Sequence, residues 1–142
     1  MSSHPPQEVI TARGHENVTA QHASTFEVTS DDYLTPAGDC ILAIDADRTP
    51  SDFSKAFLTA CQDSAATITV ELEAGGHREE IQGTGHPEFT FTNERSMVWR
   101  TSEYVDDRTV GVKMEKSAGD IDRELVTALA DGAALTVTLS VA

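Results

Sequence analysis

This sequence of 142 residues predicts a mainly β chain with two helices, built from two copies of one β-β-β-α-β unit. Residues 8–15 and 79–86 carry the same pattern, and four of their eight positions are identical. Each half then shows the apolar spacing of a helix and ends on an alternating strand. We therefore expect one domain, 1–142, made of pseudo-repeats at about 7–74 and 77–142. The identical positions are Glu8/Glu79, Ile10/Ile81, Gly14/Gly85 and His15/His86.

The correspondence between the halves continues along the chain. Residues 28–31 parallel residues 100–103, and residues 39–43 parallel residues 108–112. A match that persists in order indicates duplication of a whole unit, since a single recurring turn would match at one place only.

The first helix is predicted from its start and from one apolar stripe. Thr49 suits the N-cap, and Pro50 suits the first helical turn. The stripe then follows the helical period, with apolar residues at i, i+3, i+4, i+7 and i+8. These residues are Phe53, Ala56, Phe57, Ala60 and Cys61. Cys61 is therefore expected to be a small buried residue.

The second helix and the two last strands follow the same logic. Ile121, Leu125 and Leu129 share one helix face with Ala128, and Gly132 suits the helix end. The strands alternate with a period of two. Their inward residues are Ile68, Val70 and Leu72 in one half and Leu135, Val137, Leu139 and Val141 in the other.

The remaining strands are predicted from apolar runs. Residues 41–44 and 110–114 are short runs, and residues 18–28 and 89–100 each suit one long bent strand or a hairpin. Gly75-Gly76 is the expected turn between the halves. Trp99 and Phe91 are assigned to the core.

Two architectures agree with these elements. Closing two β-rich units around a pseudo-two-fold axis leaves no exposed sheet edge, which favours a closed or partly open barrel. The Gly38-Asp39 turn before a strand resembles the turn of duplicated cradle-loop barrels such as double-psi barrels. The alternative is a two-layer α+β sandwich.

Charge is the dominant feature of the composition. The chain has 24 acidic and 10 basic residues, a net charge of −14, and the acids are spread along its length. A diffuse acidic surface is typical of proteins from salt-loving archaea, where molar salt shortens the Debye length to about 3 Å. Such a surface makes nucleic acid an unexpected partner but does not exclude it.

The sequence gives no indication of a membrane or an export signal. It contains no apolar run of about 18 residues, and the start, Met1–Pro6, lacks a basic and then apolar stretch. We expect a short frayed N-terminal tail, no membrane partner and a cytoplasmic protein. The two cysteines, Cys40 and Cys61, do not suggest a disulfide framework or a zinc site.

Several motifs together resemble an archaeal family described as domain-of-unknown-function family 371. The resemblance spans nearly the whole chain and implies an archaeal intracellular protein, but it carries over no activity and no catalytic residue. Taken with the acidic composition, it predicts a haloarchaeal member. The segments that carry it are Ala12–Val18, Leu34–Ile41, Gly83–Glu88, Asp107–Val110 and Asp120–Val126.

His15 and His86 are the first candidate site residues, because each follows a glycine at an equivalent point of the two units. If the two turns meet near the axis, the imidazoles are candidates for a metal site or for acid–base work. A third metal ligand would come from His22, Asp39 or Cys40. The alternative is that each imidazole fixes its own turn through a local hydrogen bond.

Arginines form the second candidate group. Arg100 and Arg108 lie close in sequence with Arg95, and Arg13 precedes His15 by two positions. Guanidinium groups bind phosphate or carboxylate in a bidentate manner, so these residues predict an anion site. The alternative is pairing with nearby acids such as Asp106 and Asp107.

Two functional hypotheses follow. The first is a non-enzymatic domain that binds a small anionic ligand or a protein partner through Arg13, His15, His86, Arg100 and Arg108. The second is a metal- or histidine-assisted enzyme, hydrolase-like, that uses the same Gly-His face. The first is preferred because no complete catalytic set is present. Neither a particular cofactor nor an oligomeric state is indicated.

Overall fold

The computed structural model of the chain describes residues 6–142, and the predicted frayed tail lies outside them apart from Pro6. Eight strands and two α-helices occur in this described part, which confirms a mainly β chain with two helices. The strands are β1 (Gln7–Arg13), β2 (Thr25–Thr29), β3 (Ile41–Ala43), β4 (Thr67–Ala74), β5 (His77–Thr84), β6 (Ser96–Arg100), β7 (Thr109–Gly111) and β8 (Ala134–Val141). The helices are α1 (Lys55–Cys61) and α2 (Arg123–Ala130).

The strands form two four-stranded sheets. Sheet I has the order β1-β8-β4-β5, and all of its neighbours are antiparallel. Sheet II has the order β3-β2-β6-β7, with an antiparallel central pair and parallel outer pairs. The element order β-β-β-α-β occurs twice, from β1 to β4 and again from β5 to β8, and the two runs are joined by the turn between β4 and β5.

The closed barrel predicted from the sequence is wrong. The two sheets are separate ladders, and within residues 6–142 the strand pairing between them is limited to isolated antiparallel bridges, Arg13 with Ile44 and Thr84 with Val112. One bridge at each edge does not continue a ladder around a barrel. The two-layer α+β sandwich, which the sequence left as the alternative, therefore fits better.

Side chains complete the edges of sheet I where the backbone ladder stops. The Thr11 N–H donates to the Asp47 carboxylate, and the Asp47 N–H donates back to the Thr11 carbonyl. On the opposite edge, Gln82 and Glu115 make the same reciprocal pair. Both edges of the sheet are thus occupied, which limits edge-to-edge association with other chains.

One hydrophobic core draws side chains from both sheets. The strands of sheet I alternate between buried and exposed residues, so one face of this sheet is inward and the other faces solvent. Phe26 and Trp99 stack at the centre, with ring centroids 4.8 Å apart. Trp99, Phe91 and Cys61 are buried, as the sequence predicts.

The first helix begins later than predicted. Thr49 does not cap α1 but opens a separate 3₁₀ turn over Pro50–Asp52. The chain returns to extended backbone at Phe53, and the Ser54 hydroxyl caps α1 by accepting from the Phe57 N–H. Thr49, followed by Pro50 and by Asp52 three residues on, can start either a 3₁₀ turn or an α-helix. The local sequence therefore does not distinguish these two helix types.

Residues 18–28 and 89–100 were each predicted to form one long bent strand or a hairpin, and each contributes only one short strand. Only Thr25–Thr29 and Ser96–Arg100 are strands. The preceding segments turn through left-handed residues, with φ of 48° at Ala20 and 49° at Phe91. Their apolar residues therefore reach the core from loops. The Gly75-Gly76 turn is confirmed, since both glycines have positive φ in the β4–β5 hairpin.

Two buried glutamates fasten the helix starts to sheet I. Glu8 on β1 ion-pairs with Arg48 and accepts the Ser54 N–H at 2.9 Å. Glu79 on β5 ion-pairs with Lys116, and the N–H at the start of α2 donates to it at 2.7 Å. Their exposed fractions are only 6% and 9%, so these carboxylates belong to the framework of the fold.

Candidate functional site

A cluster of four charged side chains and one threonine lies on the face of sheet II that points away from the core. It consists of Glu27 from β2, Arg100 at the end of β6, Thr109 at the start of β7, and Asp106 and Arg108 from the β6–β7 loop. We call these five residues the arginine cluster. Because β6 and β7 run parallel, the connecting loop returns along the sheet and brings its residues back over β6.

Two guanidinium groups converge on the carboxylate of Asp106. Arg100 Nη2 donates to Asp106 Oδ2 at 2.9 Å, and Arg108 Nη2 donates to the same oxygen at 3.1 Å. Arg100 Nε donates to the Thr109 hydroxyl at 3.0 Å. This hydroxyl in turn donates to Asp106 Oδ1. The cluster therefore holds one carboxylate between two cations in fixed geometry.

The hydrogen bonds also decide the ionisation of Asp106. Burial alone would raise the pKa of this carboxyl, but hydrogen bonds from the Arg108 N–H, the Thr109 hydroxyl and the Arg108 guanidinium outweigh it. The pKa of Asp106 therefore lies below its usual value. Its charge persists through the physiological pH range, so the two arginines keep their internal counter-ion.

Glu27 is the carboxylate of the cluster whose ionised form is disfavoured. Burial raises the pKa of Glu27, and the charge of Arg108 lowers it by less. Arg108 Nη1 is 3.7 Å from the carboxylate, which is too long for a hydrogen bond. Burial, with the Glu27 charge second, raises the pKa of the neighbouring Cys40 thiol to about 11. Cys40, half-buried, is therefore a thiol at neutral pH, not a nucleophilic thiolate.

Replacing Glu27 with glutamine should stabilise the protein at neutral pH. A carboxyl whose pKa is raised in the folded state is destabilising wherever it is ionised, and this penalty disappears as pH falls through the folded pKa. We expect the melting temperature of E27Q to exceed that of the wild type at pH 7 and to converge with it as pH falls below the raised pKa. Thermal unfolding, followed by circular dichroism from about pH 4 to about pH 8, checks this expectation. A lower melting temperature at pH 7 would contradict the assigned burial penalty.

One exposed tyrosine lies against the cluster, and a second lies in the β2–β3 loop. Tyr104 places its ring 4.8 Å from the Arg100 guanidinium carbon, a cation–π contact, and is 61% exposed. Tyr33 is 55% exposed and lies in the β2–β3 loop. In that loop Asp31 holds Arg95 through both carboxylate oxygens. Arg95 thus has its own partner and makes no direct bond to the cluster.

The Gly-His turns make local contacts. His15 Nδ1 accepts the Asn17 N–H at 3.0 Å, and His86 Nδ1 accepts the Glu88 N–H at 3.0 Å. This is the turn-fixing role that the sequence left open. Because Nδ1 accepts a hydrogen bond, the proton of a neutral imidazole lies on Nε2. Neither ring nitrogen then has a free lone pair for a metal.

The two glycines are required by close backbone approach. A Cβ on Gly14 would lie 1.8 Å from the Leu129 carbonyl oxygen, and one on Gly85 would lie 2.1 Å from that of Cys61. The turn of each half therefore packs against the C-terminal end of the helix in the other half. That His15 and His86 share one cavity stays a prediction, and no hydrogen bond or ion pair within residues 6–142 joins them.

Arg13 and His22, two other predicted site residues, have local partners. Arg13 ion-pairs with Asp45 at the edge of sheet I. His22 Nδ1 accepts backbone N–H groups of Ser24 and Thr25, so it also fixes a turn. Within residues 6–142 no group of three or more His, Cys, Asp or Glu side chains is arranged to hold a metal ion. Of the predicted site residues, Arg100 and Arg108 share a partner, the Asp106 carboxylate.

Sequence reasoning missed two members of the cluster. Glu27 was not singled out, although an acid between Phe26 and Val28 in a strand indicates a carboxylate on the face opposite to the core. Thr109 was considered only as the counterpart of Cys40. Asp106 was correctly named as a possible arginine partner.

The fold and the cluster together define a mainly β domain of two sheets with an ion-paired arginine face. Neither α1 nor α2, the helices of the described part, has the length and apolar character to cross a membrane. The sequence model of a family described as Domain of unknown function (DUF371) matches residues 10–142. The chain belongs to this family. It is also similar to the uncharacterized protein MJ0206 of Methanocaldococcus jannaschii, with 44% identity over 124 residues, 87% of this chain and 91% of the relative.

Proposed function

We propose that this protein is a non-enzymatic domain that binds a small anionic ligand, a carboxylate or a phosphate, at the arginine cluster. The observation that carries the proposal is the convergence of Arg100 and Arg108 on the single oxygen of Asp106. The two guanidinium groups therefore have the donor geometry of a carboxylate-binding site, and the Asp106 carboxylate occupies one side of that site.

Unused donors on the same guanidinium groups support the proposal. Nη1 of Arg100 and Nη1 of Arg108 donate no hydrogen bond within the described residues. Neither atom is among the fully buried polar atoms that lack a hydrogen-bond partner. The Arg108 side chain is 39% exposed and that of Arg100 is 12% exposed, so Arg108 offers the more accessible donor to a ligand. With two arginines and two acids, Glu27 and Asp106, the cluster has no net charge, whereas the whole chain carries −14. An anion meets less repulsion here than on the average surface.

Calorimetric titration with inorganic phosphate and with citrate, at constant ionic strength and about pH 7, tests the proposal. R108Q should weaken binding by about tenfold to a hundredfold, since a hydrogen bond to a charged group contributes about 1.5–3 kcal/mol. The matched control is R78Q, which removes an exposed arginine paired with Glu71 on sheet I and should bind like the wild type.

E27Q gives the opposite expectation in the same experiment. Removing the negative charge 3.7 Å from Arg108 Nη1 should tighten anion binding several-fold. Equal affinities in the wild type, R108Q, R78Q and E27Q, or no heat of binding in any of them, would contradict the proposal.

We also propose that the two halves arose by duplication of one β-β-β-α-β unit around a pseudo-two-fold axis. Glu8 and Glu79 supply the support, because each binds a basic side chain and the backbone N–H at the start of a helix. Left-handed backbone at Asp45 and Lys113 falls at corresponding points after β3 and β7. Equivalent residues with the same contacts and the same backbone conformation support a repeated unit more strongly than the order of the strands and helices does alone.

Finally, we propose that the protein works in the cytoplasm of a salt-loving archaeon. The excess of acidic residues supports a high-salt environment, since screening removes the repulsion among them. The melting temperature should rise as KCl increases from about 0.1 M to about 3 M, over which the Debye length falls from about 10 Å to below about 3 Å. A melting temperature independent of KCl would contradict this.

A further inference from the structure

Tyr104 presents an exposed aromatic face beside the arginine cluster. One face of its ring lies against the Arg100 guanidinium, with 4.8 Å between the guanidinium carbon and the ring centroid. Because 61% of Tyr104 is exposed, the opposite face of the ring is open to solvent. The guanidinium that the ring covers also donates to Asp106. The aromatic face and the anion-binding donors therefore belong to one continuous surface.

The backbone around Tyr104 is anchored to other segments of the chain. The Thr101 N–H donates to the Ser24 carbonyl at 2.9 Å, and the Lys113 N–H donates to the Ser102 carbonyl at 3.0 Å. The Tyr104 N–H itself donates to the Ser102 hydroxyl at 3.3 Å. Since the start of the β6–β7 loop is held in this way, little ordering of the ring is needed when a ligand binds.

We infer that the anion bound at the arginine cluster is a nucleotide, with its base stacked on the open face of Tyr104 and its phosphate on the Arg108 guanidinium. This inference rests on the proposed function and names the class of its ligand. Every nucleobase has a flat π-face, and an aromatic side chain beside cationic side chains is a common arrangement for binding unpaired bases. A simple inorganic anion would use the arginine donors and leave the tyrosine face in water.

The charges near Tyr104 explain why stacking matters at this site. Glu103 is ion-paired with Lys113 at 2.8 Å, and Asp106 is held by the two arginines. Asp107 adds a further negative charge to the loop. The loop therefore offers no excess of positive charge, and charge alone attracts a phosphate weakly. Stacking of a base does not depend on net charge, so it supplies affinity that the ion pairs do not.

Tyr33 is a matched comparison within the same chain. It is 55% exposed and lies in the β2–β3 loop, as Tyr104 is exposed in the β6–β7 loop. The β2–β3 loop leaves sheet II where Thr29 pairs with Ser96, at the end of the β2–β6 pair opposite to Arg100. Removing Tyr33 therefore tests whether the loss of any exposed tyrosine has the same effect as the loss of Tyr104.

Calorimetric titration of the full chain with adenosine monophosphate and with ribose phosphate, which lacks the base, tests the inference. We expect adenosine monophosphate to bind about fivefold to a hundredfold more tightly, the range that corresponds to one base stacked on one aromatic side chain. Y104A should remove this preference without weakening the binding of ribose phosphate. Y104F and the control Y33A should retain the preference.

Nuclear magnetic resonance adds a readout of the stacking itself. The protons of the adenine ring should shift upfield when adenosine monophosphate binds the wild type, because they then lie over the Tyr104 ring. This shift should be absent in Y104A. Circular dichroism shows whether each variant is folded. If Y104A does not fold, Y104L takes its place with the same expectation, since leucine keeps an apolar cover over Arg100 but has no aromatic face.

The outcomes separate this inference from the proposed function. Ribose phosphate binding that requires Arg108 but is not improved by the base would overturn the inference and leave the proposed function in place. An equal loss of the preference in Y104A and Y33A would do the same. Binding of neither compound, or binding that R108Q does not weaken, would overturn the proposed function and this inference with it.

Discussion

Glu8→Ala is expected to lower the free energy of unfolding by about 3 kcal/mol, because removal of one partner from a buried ion pair leaves the other uncompensated. Arg48 would lose its carboxylate, and the Ser54 N–H at the start of α1 would lose its acceptor. Glu79→Ala should cost less, about 2 kcal/mol, since Lys116 is 42% exposed and can turn to solvent. Denaturant unfolding of the two variants gives these values.

Glu80→Ala is the matched control for both variants. Glu80 neighbours Glu79 on β5 but points to solvent, so its loss should change stability by no more than about 0.5 kcal/mol. If Glu8→Ala and Glu79→Ala behaved like Glu80→Ala, the buried glutamates would not fasten the helices, and the main support for duplication would be lost.

Gly85→Ala is the second substitution with a large expected effect, a loss of about 3 kcal/mol or more. The added Cβ would lie 2.1 Å from the Cys61 carbonyl oxygen and 2.6 Å from that of Asp63, so the end of α1 must move. Backbone cannot yield as a flexible side chain can. Gly14→Ala should be similarly costly, because its Cβ would meet the Leu129 carbonyl at the end of α2.

A glycine in open space supplies the control. Gly76 has no atom within 4 Å of an added Cβ, but its φ is 81°. Asparagine tolerates left-handed backbone, so Gly76→Asn should cost about 1 kcal/mol or less. Thermal unfolding of Gly85→Ala, Gly14→Ala and Gly76→Asn separates the two causes. Equal, small losses would show that the Gly-His turns do not pack against the helix ends as described.

The strands and helices with a clear periodic pattern were predictable from the sequence. The alternation at Ile68–Leu72 and Leu135–Val141 and the apolar spacing of the second helix gave elements that the structure contains. The predictions were wrong where apolar residues reach the core from loops, as at Phe91, because hydrophobicity without a sustained period does not fix backbone conformation.

Closure of the barrel was not predictable because it depends on single contacts. β1 touches the end of β3 at one bridge, Arg13 with Ile44, and the chain turns directly after it at Asp45, which has a φ of 56°. Local sequence specifies such a turn weakly. The same holds for the 3₁₀ turn, which shares its capping chemistry with an α-helix start.

The candidate site was half predictable. Arg100 and Arg108 were grouped because they lie close in sequence, and parallel pairing of β6 with β7 does bring them together. Glu27 comes from a strand far away in sequence, and only the β2–β6 pairing places it there. The Gly-His pairs were predicted from their equivalence in the two halves, but equivalence is also what shared turn architecture produces.

The central claim is that anions bind at the arginine cluster, and amide chemical-shift mapping by nuclear magnetic resonance tests it most directly. Phosphate and then citrate are titrated into the labelled protein at constant ionic strength. The account predicts that shift changes concentrate at Arg100, Arg108 and Thr109, and that in R108Q they require about tenfold to a hundredfold more ligand. Changes confined to the Gly14-His15 and Gly85-His86 turns, or spread without focus over the surface, would contradict it.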